Sequence, residues 1–186
     1  MGKEEILELY KEEITEIFKE NKFVVFLCGP SIKNTEKPGA QLRKQIMEAL
    51  QNDKFEVFLG EDDGLEELQE KFGLDAQENE MSFIAKYCNA IVLIASSIGA
   101  YCELGLFSYY KVKYSDSLDF ILIISEEYKG EKSYLNLGPA AVVDSHGKVY
   151  YADLGNFNIE QIVKRLQHRR AAFFMDSRGK PPGKRT

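Results

Sequence analysis

Few residues of this sequence could build a metal or disulfide site. The 186 residues include three cysteines, two histidines and no tryptophan. Cys28, Cys88 and Cys102 do not form the C-x-x-C spacing of zinc and redox motifs. We therefore predict no metal site. The odd number of thiols, without a disulfide pattern, suits the reducing cytoplasm.

Two further absences concern membranes and cofactors. No apolar run approaches the roughly 20 residues that a membrane-spanning helix needs. The acidic start of the chain, MGKEEILELYKEEITEIF, is unlike a signal peptide. The phosphate-binding patterns G-x-x-x-x-G-K-S/T and G-x-G-x-x-G are missing as well. We expect a cytoplasmic protein that does not contact membranes and carries no cofactor.

Positive charge is also scarce. The formal net charge is -6 and the isoelectric point is near 5.1. This balance argues against tight, nonspecific binding of duplex nucleic acid, because such binding needs a basic surface that replaces phosphate counterions. A few local cations could still hold a small anionic ligand.

The chain does have enough apolar sequence for one core. Hydrophobic residues make up 44% of its 186 residues, which predicts a single domain over residues 1–176. Residues 177–186 are basic and have no apolar side chain to bury, so we predict a disordered tail there.

Apolar runs alternate with amphipathic stretches along the chain. Short apolar runs predict strands, and apolar side chains spaced three or four residues apart predict helices. We predict strands at residues 23–27, 55–59, 90–95, 118–124 and 148–151, and helices at residues 3–19, 40–51, 75–87, 101–114 and 158–174, with a charged helical stretch to Phe72. This order indicates an α/β fold: a three-layer, flavodoxin- or Rossmann-like domain with a mostly parallel sheet and helices on both faces.

Polar loops follow three of the predicted strands. They lie at residues 28–33, 61–63 and 97–103. The carboxyl ends of parallel strands meet at one edge of a sheet, where ligands usually bind. We therefore expect the three loops to converge on one site.

Glu103 lies in the third loop, in the sequence SIGAYCELG at residues 97–105. One interpretation is structural, because an acid in the first turn of a helix is stabilised by the amide dipoles there. The other is chemical, because a turn at the rim of a parallel sheet can present a carboxylate to a ligand. The spacing alone leaves both interpretations open.

Other polar residues near this edge also have two interpretations. Gly29 permits a close backbone approach, Ser31 offers a hydroxyl and Lys33 a cation. Asp62 could reach sugar hydroxyls or bind a hard cation. An ordinary turn and a solvated acidic loop explain the same residues without any ligand.

Two carboxylates that face one pocket can support displacement at an anomeric carbon. One attacks as the nucleophile and the other handles the proton, and in retaining glycosidases the two are about 5 to 5.5 Å apart. Glu103 and Glu80 are our candidates for such a pair. We interpret His146 and His168 as surface histidines, so no Ser-His-Asp or Cys-His arrangement competes convincingly.

Two segments resemble the nucleoside 2-deoxyribosyltransferase family. They are VVFLCGPSI at residues 24–32 and the pattern S-x-G-x-x-x-E-L-G at residues 97–105. The resemblance implies a flavodoxin-like domain that cleaves the N-glycosidic bond of a nucleoside or nucleotide. Glu103 matches the nucleophile of the family, and Glu80, in EMSFI, is similar to its second acid. The substrate contacts that we predict are Cys28, Gly29, Pro30, Ser31, Lys33, Asp62, Ser97 and Gly99.

Ser97 departs from the transferases that act on free nucleosides, which tend to carry Asp at this position. The serine resembles the branch that hydrolyses deoxynucleoside 5'-monophosphates, where the hydroxyl and nearby backbone amides receive the phosphate. An uncharged donor suits an anion, whereas a carboxylate would repel it. A nucleoside monophosphate is therefore the favoured substrate.

A third segment, KSYLNLGP at residues 132–139, extends the resemblance to the toxin domain of retron anti-phage effectors. The matching segments together cover residues 23–143. We expect no additional C-terminal domain after the sheet, so a partnership with a reverse transcriptase or its DNA stays open. A connecting loop with a Gly-Pro turn is the structural alternative for this segment.

Three functions are consistent with the sequence. The first is an N-glycosidase or N-deoxyribosyltransferase that acts on nucleotides, in the role of an anti-phage effector. The second is a TIR-like enzyme that hydrolyses NAD, and the third is a sensor that binds a nucleotide without cutting it. The base, the sugar and the acceptor, water or a second base, stay open.

We also predict a homo-oligomer, because the resembling family often completes its sites across subunits. The helix after the third strand could offer an aromatic face for such a contact. Burial in the core is the alternative for the same residues, which are Tyr101, Phe107, Tyr109 and Tyr110.

Overall fold

The apolar runs of the sequence form a five-stranded sheet in the computed structural model, which describes residues 22–60, 75–114 and 117–175. The strands are β1 (Val24–Cys28), β2 (Glu56–Phe58), β3 (Ala90–Ala95), β4 (Asp119–Ser125) and β5 (Lys148–Ala152). The helices are α1 (Pro38–Asn52), α2 (Ala76–Tyr87), α3 (Ile98–Tyr114), α4 (Tyr134–Leu137), α5 (Pro139–His146) and α6 (Glu160–Met175). The predicted helix at residues 3–19, the helical stretch to Phe72 and the tail at residues 177–186 lie outside the described residues.

The order of the strands is β2-β1-β3-β4-β5, and every neighbouring pair is parallel. This confirms the predicted α/β fold with a largely parallel sheet. The three central strands β1, β3 and β4 are buried along almost their whole length. Their apolar runs do not alternate with polar residues because helices cover both faces of the sheet.

Alternate side chains of each strand enter two separate cores. On one face α1 and α6 pack against the sheet through Ile46 and Leu166. On the other face α2, α3 and α5 pack through Phe83, Phe107 and Val143. Helices on both faces of one sheet make the three predicted layers.

The strand order has a reversal between β1 and β3, and this reversal opens a crevice. The chain leaves β1 for α1 on one face of the sheet and leaves β3 for α3 on the opposite face. Two loops that diverge in this way leave a space beyond the carboxyl ends of the two strands, where ligands of such sheets bind. Cys28 ends β1 at this crevice, and Ser96 and Ser97 follow β3.

The third helix begins earlier than its apolar spacing predicted. It begins at Ile98 rather than at Tyr101, because Ser97 caps it by accepting a hydrogen bond from the backbone N–H of Ala100 (3.3 Å). Glu103 therefore lies in the second turn, and the interpretation of Glu103 as a first-turn acid is wrong.

The aromatic face expected on α3 is divided between core and surface. Phe107 is fully buried, and Tyr101 and Tyr110 pack partly against the core. Tyr109 is exposed, with Val112 and Tyr114 near it on the helix. The homo-oligomer stays a prediction.

None of the helices in the described ranges is long and apolar enough to cross a membrane.

Gly29 has a backbone conformation that requires glycine. Its φ is +142°, and a Cβ there would lie 2.9 Å from the carbonyl oxygen of Ile94 in β3. We expect Gly29→Ala to lower the free energy of unfolding by about 1–3 kcal/mol. The matched control is Gly105→Ala in α3, where a Cβ meets nothing within 4 Å, and it should raise that free energy by about 0.5–1 kcal/mol. Urea unfolding of both variants measures the two effects, and equal effects would contradict the strained turn.

Candidate functional site

A buried arginine holds the loop between β1 and α1. The Arg43 guanidinium is 1% exposed and donates hydrogen bonds to three backbone carbonyls. Nη2 contacts the oxygen of Leu27 at 2.6 Å, and Nη1 contacts those of Gly29 at 3.1 Å and Pro30 at 3.2 Å. A planar guanidinium can reach several acceptors at once, so one side chain fixes the path of the chain as it leaves β1.

The two loops at the crevice pack directly against each other. A Cβ on Gly39, in the first turn of α1, would overlap the Ser96 hydroxyl and lie 3.2 Å from Cγ of Pro30. The start of α1 can therefore approach the turn after β3 only because residue 39 has no side chain. This contact sets the width of the crevice on the α1 side.

Glu80 and Glu103 both lie near the Cys28 thiol. The pKa of this thiol is raised well above its ordinary value, first by burial and then by the negative charges of Glu103 and Glu80. The influence of a charge falls with distance, so both carboxylates lie within electrostatic range of the end of β1. The two acids are 23 positions apart in the sequence.

Gly60 fixes the position of the Glu80 carboxylate. A Cβ at Gly60, directly after β2, would lie 2.7 Å from Oε1 of Glu80 and 3.5 Å from the Phe26 ring. The absence of a side chain at residue 60 leaves room for the carboxylate to lie over the carboxyl end of the sheet. The sequence allowed Glu80 to point toward the site or into water, and in the structure it points toward the site.

Glu103 projects from the second turn of α3, on the layer that also contains α2. The side chain is partly buried, and its Oε2 atom has no access to solvent. Leu104, next to it, is fully buried in the core beside the sheet. The core packing of α3 thus positions Glu103 at the rim of the crevice.

The predicted phosphate-binding residues lie at the start of α3. Ser97 Oγ accepts the capping hydrogen bond from Ala100, which leaves its hydroxyl proton able to donate to a ligand. Gly99 is exposed, and a Cβ there would meet nothing within 4 Å. The first turn of α3 therefore offers backbone amides to an anion in open space.

The other predicted binding residues are divided between the crevice wall and the surface. Pro30 is buried in the wall with Cys28, whereas Ser31 and Lys33 are exposed further along the loop. The backbone N–H of Lys33 donates to Ser31 Oγ at 3.4 Å, so Ser31 stabilises the turn in which it lies. Asp62 is outside the described residues. The roles of all of these residues in binding stay predictions.

The third sequence motif packs beside the helix that carries Glu103. Asn136 in α4 donates to the carbonyl oxygen of Glu131 at 2.9 Å and accepts a hydrogen bond from the hydroxyl of Tyr151 in β5 at 2.9 Å. It also donates to the carbonyl of Tyr128, whose ring contacts Tyr101 of α3 edge-on at 6.1 Å. The motif therefore connects β5, the loop after β4 and α3, the helix that contains Glu103.

A comparison with known protein families identifies the family of this chain. Residues 39–178 match the family described as STM3845 retron effector protein. The chain belongs to this family. Membership supports the expected role as an anti-phage effector. The matched range contains Glu80, Ser97, Glu103 and the KSYLNLGP segment, whereas the loop from Cys28 to Lys33 precedes it. No curated protein and no solved structure matches the chain in the other two comparisons.

Sequence reasoning missed three residues that shape the site of this retron effector. Gly39 and Gly60 shape the site because they have no side chain and so leave room for Ser96 and Glu80. Such a role becomes visible only when the neighbouring elements are in place. Arg43 did leave a signal, since it shares a helix face with Ile46 and Leu50 and is thus a cation on an apolar stripe. In the described ranges no three His, Cys, Asp or Glu side chains cluster as metal ligands would.

The role of Arg43 can be tested by a substitution of similar length. Arg43→Met removes the donors for three buried carbonyls, and we expect it to lower the free energy of unfolding by about 3 kcal/mol. Lys44→Met is the matched control, because Lys44 is half-exposed in the same helix and pairs only loosely with Glu48 at 4.0 Å. It should change the stability by less than about 0.5 kcal/mol. Comparable losses in the two variants, measured by urea unfolding, would show that Arg43 does not brace the loop.

Proposed function

We propose that this retron effector cleaves the N-glycosidic bond of a nucleotide, with Glu103 as the nucleophile and Glu80 as the acid and base. The observation that supports the proposal is that both carboxylates act electrostatically on Cys28, which ends β1 at the crevice. Two acids at one pocket are the minimum set for displacement at an anomeric carbon with a covalent intermediate.

The reaction has two displacements at the same carbon. In the first, a carboxylate oxygen of Glu103 bonds to the anomeric carbon as the bond from that carbon to the base nitrogen breaks. The leaving base takes a proton from Glu80. In the second, water or another base attacks the anomeric carbon, the ester bond to Glu103 breaks, and the proton of the attacking group passes to Glu80. Both acids then regain their starting forms.

Cys28 is the other nucleophile at this crevice, and its environment disfavours that role. A thiol attacks as the thiolate. Burial and the two neighbouring carboxylates raise the pKa of Cys28, so the thiol stays protonated near neutral pH. Cys28 is better suited to form an apolar wall beside the sugar, which supports Glu103 as the attacking group.

Ser97 and the first turn of α3 support a phosphorylated substrate. A phosphate placed there would accept hydrogen bonds from the Ser97 hydroxyl and the backbone amides at the helix start. In this position it would be six residues along α3 from Glu103, or about 9 Å at ~1.5 Å per residue. That separation suits a 5'-phosphate whose sugar reaches the carboxylate. A deoxynucleoside monophosphate is therefore the proposed substrate.

The central test replaces the nucleophile without changing its shape. Glu103→Gln should keep the fold, as measured by circular dichroism, and lower the release of free base from deoxynucleoside monophosphates by about a thousandfold or more. The matched control is Glu78→Gln, because Glu78 is an exposed acid on the same helix as Glu80. Its activity should stay within about twofold of the parent.

The assay also separates the alternative functions. It measures free base from the four deoxynucleoside monophosphates and nicotinamide from NAD by chromatography. Release of nicotinamide alone would favour the NAD hydrolase, and stoichiometric binding without any release would favour the sensor. Full activity of Glu103→Gln would overturn the mechanism.

A second test addresses the preference for phosphate. Ser97→Asp keeps a side chain that caps α3 but places a negative charge where the phosphate would bind. We expect kcat/KM for deoxynucleoside monophosphates to fall by about tenfold or more, while that for the free nucleosides falls less. Ser97→Asn is the control, since it caps the helix without a charge. Equal losses for both substrate classes would contradict a phosphate site at Ser97.

A further inference from the structure

A second cleft lies on the opposite face of the sheet from Glu103. It has a volume of about 570 Å³ between the start of β5 and α6. Its lining residues are Lys148, Tyr150, Arg165, His168, Arg169 and Ala172. Lys148, the first residue of β5, is level with Val92 of β3 and Leu27 of β1 in the register of the sheet. The sheet itself separates the two sites, because the cleft lies on the face covered by α1 and α6, whereas Glu80 and Glu103 project from helices on the opposite face.

The cleft is rich in cations although the chain as a whole is acidic. Lys148, Arg165 and Arg169 line it, and the two arginines pair with Asp119. Arg165 binds both carboxylate oxygens of Asp119, at 2.9 and 2.7 Å. Asp119 is 3% exposed in its side chain, so the strongest pairing is already made inside the wall.

The side chains of Arg169 and Lys148 are more exposed to solvent than the ion pair of Arg165 and Asp119. Arg169 approaches Asp119 less closely, at 3.4 Å, and its side chain is 52% exposed. Lys148 is exposed, with its Nζ 5.6 Å from the centre of the Tyr150 ring. The three fixed cations of the lining exceed the charge of Asp119 by two. Such an excess in a concave site attracts a multiply charged anion.

Tyr150 adds a neutral donor to the same wall. Burial raises the pKa of its hydroxyl, and Arg165 acts in the opposite direction. The ring is fixed by an edge-on contact with Phe157 at 5.5 Å. A protonated hydroxyl beside two cations is a suitable partner for phosphate oxygens.

We propose that this cleft binds a small ligand with two or more phosphate charges, such as a nucleoside di- or triphosphate. The volume lies within the range of small-molecule sites, and the charge excess matches a polyphosphate. The net charge of -6 disfavours a long nucleic-acid strand, because a polymer would also experience the repulsion of the acidic surface. The site is separate from the crevice of the proposed reaction and does not depend on it.

The test removes the two exposed cations and retains the Asp119 pair. In the Glu103→Gln background, where the proposed reaction cannot consume the probe, calorimetry measures the binding of pyrophosphate, dATP and a short oligo(dT) strand. We expect pyrophosphate and dATP to bind, and the double variant Lys148→Gln, Arg169→Gln to weaken pyrophosphate binding by about tenfold or more. Lys164→Gln is the matched control, because Lys164 lies on α6, pairs with Glu160 and does not line the cleft.

An independent readout locates the binding. The chain has two histidines, so the ring signals of His168 can be assigned in a proton spectrum by comparison with His168→Gln. Pyrophosphate should shift these signals in the parent and not in the double variant. The proposal is overturned if pyrophosphate does not bind, if Lys164→Gln weakens its binding as much as the double variant does, or if oligo(dT) alone binds. None of these results depends on base release, so they do not bear on the proposed reaction.

Discussion

The divergence of the chain after β1 and β3 is the constraint on which the site depends. These two parallel neighbours send their connections to opposite faces, which leaves a space that neither helix layer fills. Two features keep the space at a defined width. Arg43 holds the carbonyls at the end of β1, and Gly39 lets α1 touch the turn after β3. Without either, the two loops would no longer face each other at a fixed distance.

The acids at this crevice come from the opposite layer to α1. Glu80 and Glu103 project from α2 and α3, whose apolar faces are packed into the same core. Because Phe83 and Leu104 anchor these helices close to the acids, the carboxylates are held by rigid elements rather than by loops. The proposed chemistry needs such rigidity, since displacement at one carbon requires two groups in a fixed relation.

The second cleft lies on the other face of the same sheet. There Arg165 of α6 binds Asp119 at the start of β4, and the two opposite charges satisfy each other. The pair shapes the wall and leaves Lys148 and Arg169 at the mouth. The two faces of the sheet thus carry chemically different groups, with the carboxylates of α2 and α3 on one face and the cations of β5 and α6 on the other.

The sequence by itself determined the fold and the candidate nucleophile. Short uninterrupted apolar runs between amphipathic helices indicate strands that are buried on both faces, and the small-residue turn before Glu103 follows one of these strands. The KSYLNLGP segment at residues 132–139 indicated the retron effectors, the family that the comparison shows. What the tertiary structure decided is which groups meet. The direction of Glu80, the capping of α3 by Ser97 and the roles of Gly39, Gly60 and Arg43 depend on contacts between elements far apart in the chain. The spacing of residues shows which side chains share a face of one helix or strand. A site, by contrast, forms where several such elements pack together.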